Sequence, residues 1–135
     1  MDTTDLILYM PKQESKRILA VMSDLFFSVK ITEAAKRAGM AVEFAKDAVE
    51  VLEKAKARPA VIIFDLNFET AQPLTLIREL KRDTELKGIS LIGYLSHVQG
   101  ELKQQAIEAG CDMVMARSAF SQNLPLILRR HAGMR

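Results

Sequence analysis

The chain has a single cysteine, Cys111, in 135 residues, which rules out an internal disulfide and any multi-cysteine metal site. It also has little excess charge. The formal balance is +2, with Lys and Arg scattered among Asp and Glu, so no electrostatic footprint for nucleic acid stands out. The one basic cluster, Arg129, Arg130 and Arg135 around His131, reads as a helix end complementing the negative pole of its dipole. No apolar run approaches the ~20 residues that a membrane helix needs. Asp2 and Asp5 stand where a secretory leader carries bases, and a cytoplasmic protein is expected. No Gly-rich phosphate loop, internal repeat or low-complexity tract occurs. His97 has neither a second histidine nearby nor an evident nucleophile aimed at it, so no enzyme is expected.

Apolar residues make up 49% of the chain and charged residues 27%, a balance that suits one folded domain with a substantial core. Residues 1–16 read as an N-terminal extension. Its apolar tip, Leu6-Ile7-Leu8-Tyr9-Met10, is stopped by Pro11 and followed by the polar run Lys12 to Lys16. A docked or frayed tail, a swapped strand and a dimer contact are the readings open for it. Residues 17–135 form the domain proper.

Within that domain short apolar runs alternate with stretches of helical period. The runs Ile18–Met22, Ala41–Phe44, Ala60–Phe64, Ile89–Tyr94 and Met113–Met115 predict five strands. The third and fourth are the most apolar and should be central, since a strand buried on both faces loses its in-out alternation. Between them, Phe26–Ala38 places Phe27, Ile31, Ala34, Ala35 and Ala38 on one helical stripe, with Gly39 for a left-handed cap. Asp47 caps a helix over Ala48–Ala57 with Val49, Leu52 and Ala55 or Lys56 inward, and Pro73 opens one running to Arg82. Gly100–Ala109 is closed by Gly110. Ser121 caps a last helix carrying Leu124, Leu126, Ile127 and Leu128, which leaves Pro125 in its first turn. The expected fold is α/β: a doubly wound, five-stranded parallel sheet of order 2-1-3-4-5, flavodoxin-like.

In such a sheet chemistry gathers at the carboxyl ends of the strands. The first strand ends in Met22-Ser23-Asp24, the third in Asp65-Leu66-Asn67, the fourth in Ser96-His97 and the fifth in Ala116-Arg117-Ser118. An acid, a hydroxyl and a cation in that order resemble the receiver domains of two-component response regulators. Ala109-Gly110-Cys111-Asp112 and Leu76–Leu91 resemble the family's approaches to its fifth and fourth strands. The resemblance covers Arg17 to about His131. It implies that Asp65 holds the phosphoacceptor position, Ser96 the hydroxyl that senses the phosphoryl group, and Arg117 the position of the usual Lys.

The departures from the family pattern are specific. Two adjacent acids normally hold Mg²⁺ after the first strand; an alignment anchored on Gly39 puts Met22 and Ser23 there, and a shift by one gives Ser23 and Asp24. A thioether contributes nothing to a hard cation and a hydroxyl little, so Asp24 and Asp65 are the remaining weak candidates for metal. Asp24 reads equally as a helix N-cap. Arg117 replaces Lys and is expected to lock Asp65 in a two-pronged ion pair. Val114 replaces the switch aromatic, and Ser118 the Pro after the Lys. Of the neighbours Phe26 and Phe27, one must face away from the core.

The expected function is a stand-alone, degenerate receiver-like signalling module that binds proteins without ordinary Mg²⁺-dependent aspartyl phosphorylation and without a cofactor. The alternative is a phosphorelay receiver phosphorylated at Asp65, with Mg²⁺ bound. By resemblance the partner face is made of the fourth helix, fifth strand and fifth helix, including Gln104, Gln105, Glu108, Met115 and Leu124–Arg130. The partner is a signalling protein, and a homodimer is open. Neither nucleic acid nor membrane is expected as a partner, and Cys111 reads as a small buried hydrophobe.

Overall fold

The computed structural model of the protein describes residues 16–96 and 99–133. The expectations placed on the N-terminal tip and on His97 therefore lie outside the described residues. Among the described residues five strands, β1 (Arg17–Val21), β2 (Ala41–Ala45), β3 (Val61–Asp65), β4 (Ser90–Leu95) and β5 (Met113–Ala116), alternate with five helices. The helices are α1 (Leu25–Arg37), α2 (Ala48–Ala55), α3 (Pro73–Arg82), α4 (Gly100–Ala109) and α5 (Arg117–His131), with a short 3₁₀ turn over Glu69–Ala71 ahead of α3. All strand pairs are parallel and their order is β2-β1-β3-β4-β5, as the alternation of runs and helices predicts.

The sheet divides the core into two layers by side-chain parity. Leu19, Val21, Ile62 and Phe64 point to the side covered by α2, α3 and α4, where Val51, Leu76, Leu80 and Ala106 meet them. Ile18, Ala20, Met22, Ile63, Ile92 and Tyr94 point to the side covered by α1 and α5. In β3, Val61 to Phe64 are wholly buried, which accounts for its unbroken apolar run; each such side chain contributes about 1.5–3 kcal/mol of burial. Asp65 follows Val61 and Ile63 in parity, so its carboxyl emerges on the α1/α5 side.

Caps set where the helices begin. Asp24 and Asp47 accept hydrogen bonds from Phe27 N–H (3.1 Å) and Glu50 N–H (2.8 Å), and Gly39 follows α1 with a φ of 71°. The cap at Asp47 phases α2 so that Val51 and Ala55 are buried. Val49, expected inward, is 80% exposed. At the other end of the chain α5 starts at Arg117 with Ala116 as its cap, five residues ahead of the expected cap Ser121. Phe120 is wholly buried beside Leu124 and Leu128, and that anchor draws the first turn out of the loop. Pro125 consequently sits inside the helix, where it has no N–H for the carbonyl of Ser121. Leu126, expected inward, faces solvent.

Gly93 in β4 is held by a close approach. A Cβ there would stand 2.8 Å from Leu66 Cδ1 and 2.9 Å from its Cγ, and Leu66 is buried in the packed layer under α3 and α4. Gly93→Ala is expected to destabilise the fold by about 1–3 kcal/mol, the usual cost of overpacking. Urea denaturation reads this as a lower midpoint at unchanged slope; an unaltered midpoint would show that Leu66 moves freely.

Candidate functional site

The carboxyl ends of β1, β3, β4 and β5 bring Asp24, Asp65, Ser96 and Arg117 to one edge of the sheet, by the parallel pairing just described. Asp24 is divided between two tasks. One carboxylate oxygen caps α1 at Phe27 N–H, and the other accepts a hydrogen bond from Arg117 Nη2 in a charge-assisted ion pair. The guanidinium also lies over the ring of Phe27, with Cζ 4.4 Å from the centroid, a cation–π arrangement. Arg117 opens α5 and Asp24 opens α1, so this contact joins the first turns of the two helices on one face.

Asp65 is placed otherwise than expected. Its Oδ1 accepts a hydrogen bond from Asn67 N–H at 2.9 Å, an Asx turn that shapes the loop after β3. Among the described residues it has no ion pair, and Arg117 reaches it only as a nearby charge. The expected Asp65–Arg117 lock is thus corrected to an Asp24–Arg117 pair. The physical reason is geometric: the N-cap of α1 holds the Asp24 carboxylate toward the start of α5, whereas Asp65 turns to its own loop.

Asn67 was not singled out in the sequence, yet its side chain ties two loops together. Its Oδ1 accepts from Ser96 N–H at 2.8 Å, and its Nδ2 donates to Gln99 Oε1 at 2.9 Å. The nearest sequence signal was its place two residues after an acid at a strand end. Beneath these loops Phe27, Tyr94 and Phe120 form a buried aromatic stack, with centroids 5.0 Å apart for Phe27–Tyr94 and 5.2 Å for Tyr94–Phe120. In the sequence Tyr94 shows only as the last residue of an apolar run. Its hydroxyl is buried without a partner among the described residues.

The chain is similar in structure to several signalling proteins. The chemotaxis response regulator CheY4 of Vibrio cholerae covers 86% of this chain and 98% of its own, at 24% identity and a TM-score of 0.74. The signal receiver domain of a signal transduction histidine kinase from Syntrophus aciditrophicus covers 87% and 90%, at 19% identity and 0.75. The phosphorylated cyanobacterial phytochrome response regulator RcpA covers 85% and 89%, at 20% identity and 0.72. The fold is that of a response-regulator receiver. Neither a protein-family model nor a curated protein sequence matches the chain.

The residues that the resemblance sets at the acid-pair positions lie just past β1. Met22 is 1% exposed and packs inward with Ile18 and Ala20, while Ser23 is exposed and next in chain to the capping Asp24. Among the described residues no cluster of three or more His, Cys, Asp or Glu side chains suited to a metal is gathered. A divalent cation would meet only Asp24 and Asp65 as carboxylates, and Asp24 already neutralises a guanidinium.

Ser96 is exposed, and Val114 is half-buried against the α3/α4 layer. Phe27 is the buried member of its pair and Phe26 the exposed one, at 87%. Cys111 is buried, with Sγ 3.4 Å from the Leu91 carbonyl, and burial pushes its thiol up to about 11. Among the described residues no helix is long and apolar enough to cross a membrane.

The two aspartates are pushed in opposite directions. The Phe27 N–H and then the Arg117 side chain hold Asp24 below its ordinary 3.8, whereas burial raises Asp65 above it. Tyr94 is also raised, first by burial and then by the charge of Asp65.

Carboxyl-detected NMR titration should therefore find Asp24 ionising before Asp65, and in Arg117→Ala both values should rise, because each loses a cation. Asp24→Ala should cost about 0.5–2 kcal/mol at neutral pH, the usual loss of a cap. A carboxyl lowered on folding stabilises above its ordinary value and loses that contribution as pH falls through the lowered one. The gap between Asp24→Ala and the parent should accordingly close in acid, and a gap independent of pH would contradict the assignment.

Tyr94→Phe removes a buried hydroxyl that has no partner among the described residues, a group whose desolvation costs about 1–3 kcal/mol. The thermal midpoint is expected to rise; a fall would show that the hydroxyl is bonded in solution.

Proposed function

We propose that this receiver is a signalling module that works by protein–protein contact, independently of aspartyl phosphorylation and of any metal or cofactor, and that it catalyses no reaction of its own. The observation that carries this reading is the ion pair between Asp24 and Arg117, stacked on Phe27, beside a buried Met22. Phosphoryl transfer to an aspartate needs positive charge held against the transferring oxygens. Here the fixed cation is a guanidinium engaged with one carboxylate, and Met22 offers the site no hard oxygen.

The contact face we assign is α4, β5 and α5. Gln104, Gln105 and Glu108 are exposed there and Met115 is half-buried. Ile107, Met113 and Leu126 leave apolar side chains in water at 46%, 39% and 50% exposure, so the face offers apolar contact within a polar surround, the composition of a transient interface. A signalling protein is the proposed partner, in the cytoplasm, and a second copy of the chain would use the same surface.

One observation favours the second reading, a relay in which Asp65 is phosphorylated. Asp65 carries no ion pair among the described residues and stands at the strand end that a receiver uses. Incubation with Mg²⁺ and acetyl phosphate separates the two readings. The unmodified protein is expected to show negligible phosphoaspartate by intact mass, and the triple change Met22→Asp, Ser23→Asp, Arg117→Lys to recover part of the labelling. Ready, Mg²⁺-dependent labelling of the parent at Asp65 would reverse the conclusion in favour of the relay.

A further inference from the structure

Two cavities between α1 and α5 meet to form one cleft. The first, of about 610 Å³, opens at the carboxyl edge of the sheet and is lined by Phe27, Lys30, Ser96, Arg117, Ser118 and Ser121. Among the described residues its charged side chains are both cations, and three hydroxyls stand with them. The second, of about 550 Å³, runs on between the helix flanks, where Phe26, Val29, Leu124 and Pro125 supply apolar surface. Lys30 and Ser121 line both, so a cationic end passes directly into an apolar length. Phe26 and Val29 leave that length open to water. Farther along, Arg37 and Arg129 stand against the single acid Glu33.

The cationic end is rich in donors. Among the described residues Lys30 makes no ion pair. Arg117 gives one guanidinium nitrogen to Asp24, out of five N–H donors that the group carries. The first-turn N–H groups of α5 have no acceptor within the helix and none from the side chain of the cap residue Ala116, and Ser118 of that turn lines the cleft. The Tyr94 hydroxyl, buried with no partner among the described residues, lies within the field of Arg117. Two cations with hydroxyls around them suit a phosphate monoester, which carries nearly two negative charges and three free oxygens at neutral pH.

We propose that the cleft binds a phosphate monoester bearing an apolar chain, with the phosphate between Lys30 and Arg117 at the start of α5 and the chain laid along Phe26, Val29, Leu124 and Pro125. Both cavities fall within the roughly 300–1,000 Å³ of small-molecule sites. From Lys30 to Arg37 the α1 wall rises about 10 Å, which accommodates a chain of several carbons. A chain lying parallel to the two helices belongs to a free small molecule, since a lipid tail would point away into its bilayer. The inference goes beyond the proposed protein contact and needs no phosphorylation of Asp65. It makes α5 common to a ligand site and to the partner face.

The test titrates the full chain with n-octyl phosphate below its micelle concentration and follows amide signals. Val29, Lys30, Ser118 and Ser121 are expected to shift together and saturate. Lys30→Gln should weaken binding about tenfold, the scale of one charge-assisted contact. Phe26→Ser with Val29→Ser, both at exposed positions, should weaken it about tenfold as well, while leaving the shifts caused by inorganic phosphate unchanged. Asp65→Asn should bind as the parent does. Equal shifts with n-octanol would overturn the phosphate end, and equal affinity for inorganic phosphate would overturn the apolar length. Shifts confined to another surface, or none, would overturn the site. Phosphatidylcholine vesicles containing phosphatidic acid are expected to leave the protein in the supernatant. Sedimentation with them that Lys30→Gln abolishes would overturn the free-molecule assignment in favour of a lipid head group.

Discussion

Arg117 stands where three demands meet: the Asp24 carboxylate, the face of Phe27 and the first turn of α5. A surface ion pair of this exposure ordinarily contributes little to stability. Its importance here lies in what it joins. One end is the cap that starts α1, and the other is the residue that starts α5, so the two helices covering one face are registered against each other at the edge where receivers do their chemistry. The aromatic stack of Phe27, Tyr94 and Phe120 lies directly below, and both helices contribute a ring to it.

That arrangement fixes the electrostatics of the site. A guanidinium cannot leave its charge behind or exchange with solvent, so the positive charge beside Asp65 is permanent and covalently attached. Asp24 is satisfied by it and titrates low. Asp65, farther from the guanidinium and half-buried, carries the desolvation cost instead. The pair of acids therefore splits into a structural member and a strained one, by position rather than by residue type.

The fold was legible because its signals were local and mutually consistent. The unbroken apolar run Val61–Phe64 announced a central strand, Gly39 and Asp47 marked helix ends, and α3 and α4 begin and end where Pro73, Arg82, Gly100 and Ala109 suggested. Errors arose where tertiary packing outweighed local pattern. Phe120 pulled the start of α5 upstream and overrode the expectation that Pro125 would lie in a first turn. The short helix α2 gave too few turns for its stripe to be phased without its cap, so Val49 was assigned inward. At the site, residue types and strand ends were readable but pairing was not. Two acids competed for one Arg, and the choice depended on the Asp24 cap, whose second oxygen no spacing rule assigns. Asn67 and Tyr94 escaped notice because a lone amide in a loop and a lone tyrosine in an apolar strand carry no pattern by themselves.

The amide of Asn67 has a mechanical consequence. By accepting from Ser96 and donating to Gln99 while its own N–H holds Asp65, it makes the ends of two strands share a single hinge. A displacement of the segment after β4 is then transmitted to the carboxyl after β3 through rigid bonds instead of through solvent. Coupling of this kind is reciprocal: the placing of Ser96 and Gln99 bears on the Asp65 loop as that loop bears on theirs. Asp65, Ser96 and Gln99 thus answer to one amide, and a single side chain sets the spacing of two loops along the carboxyl edge of the sheet.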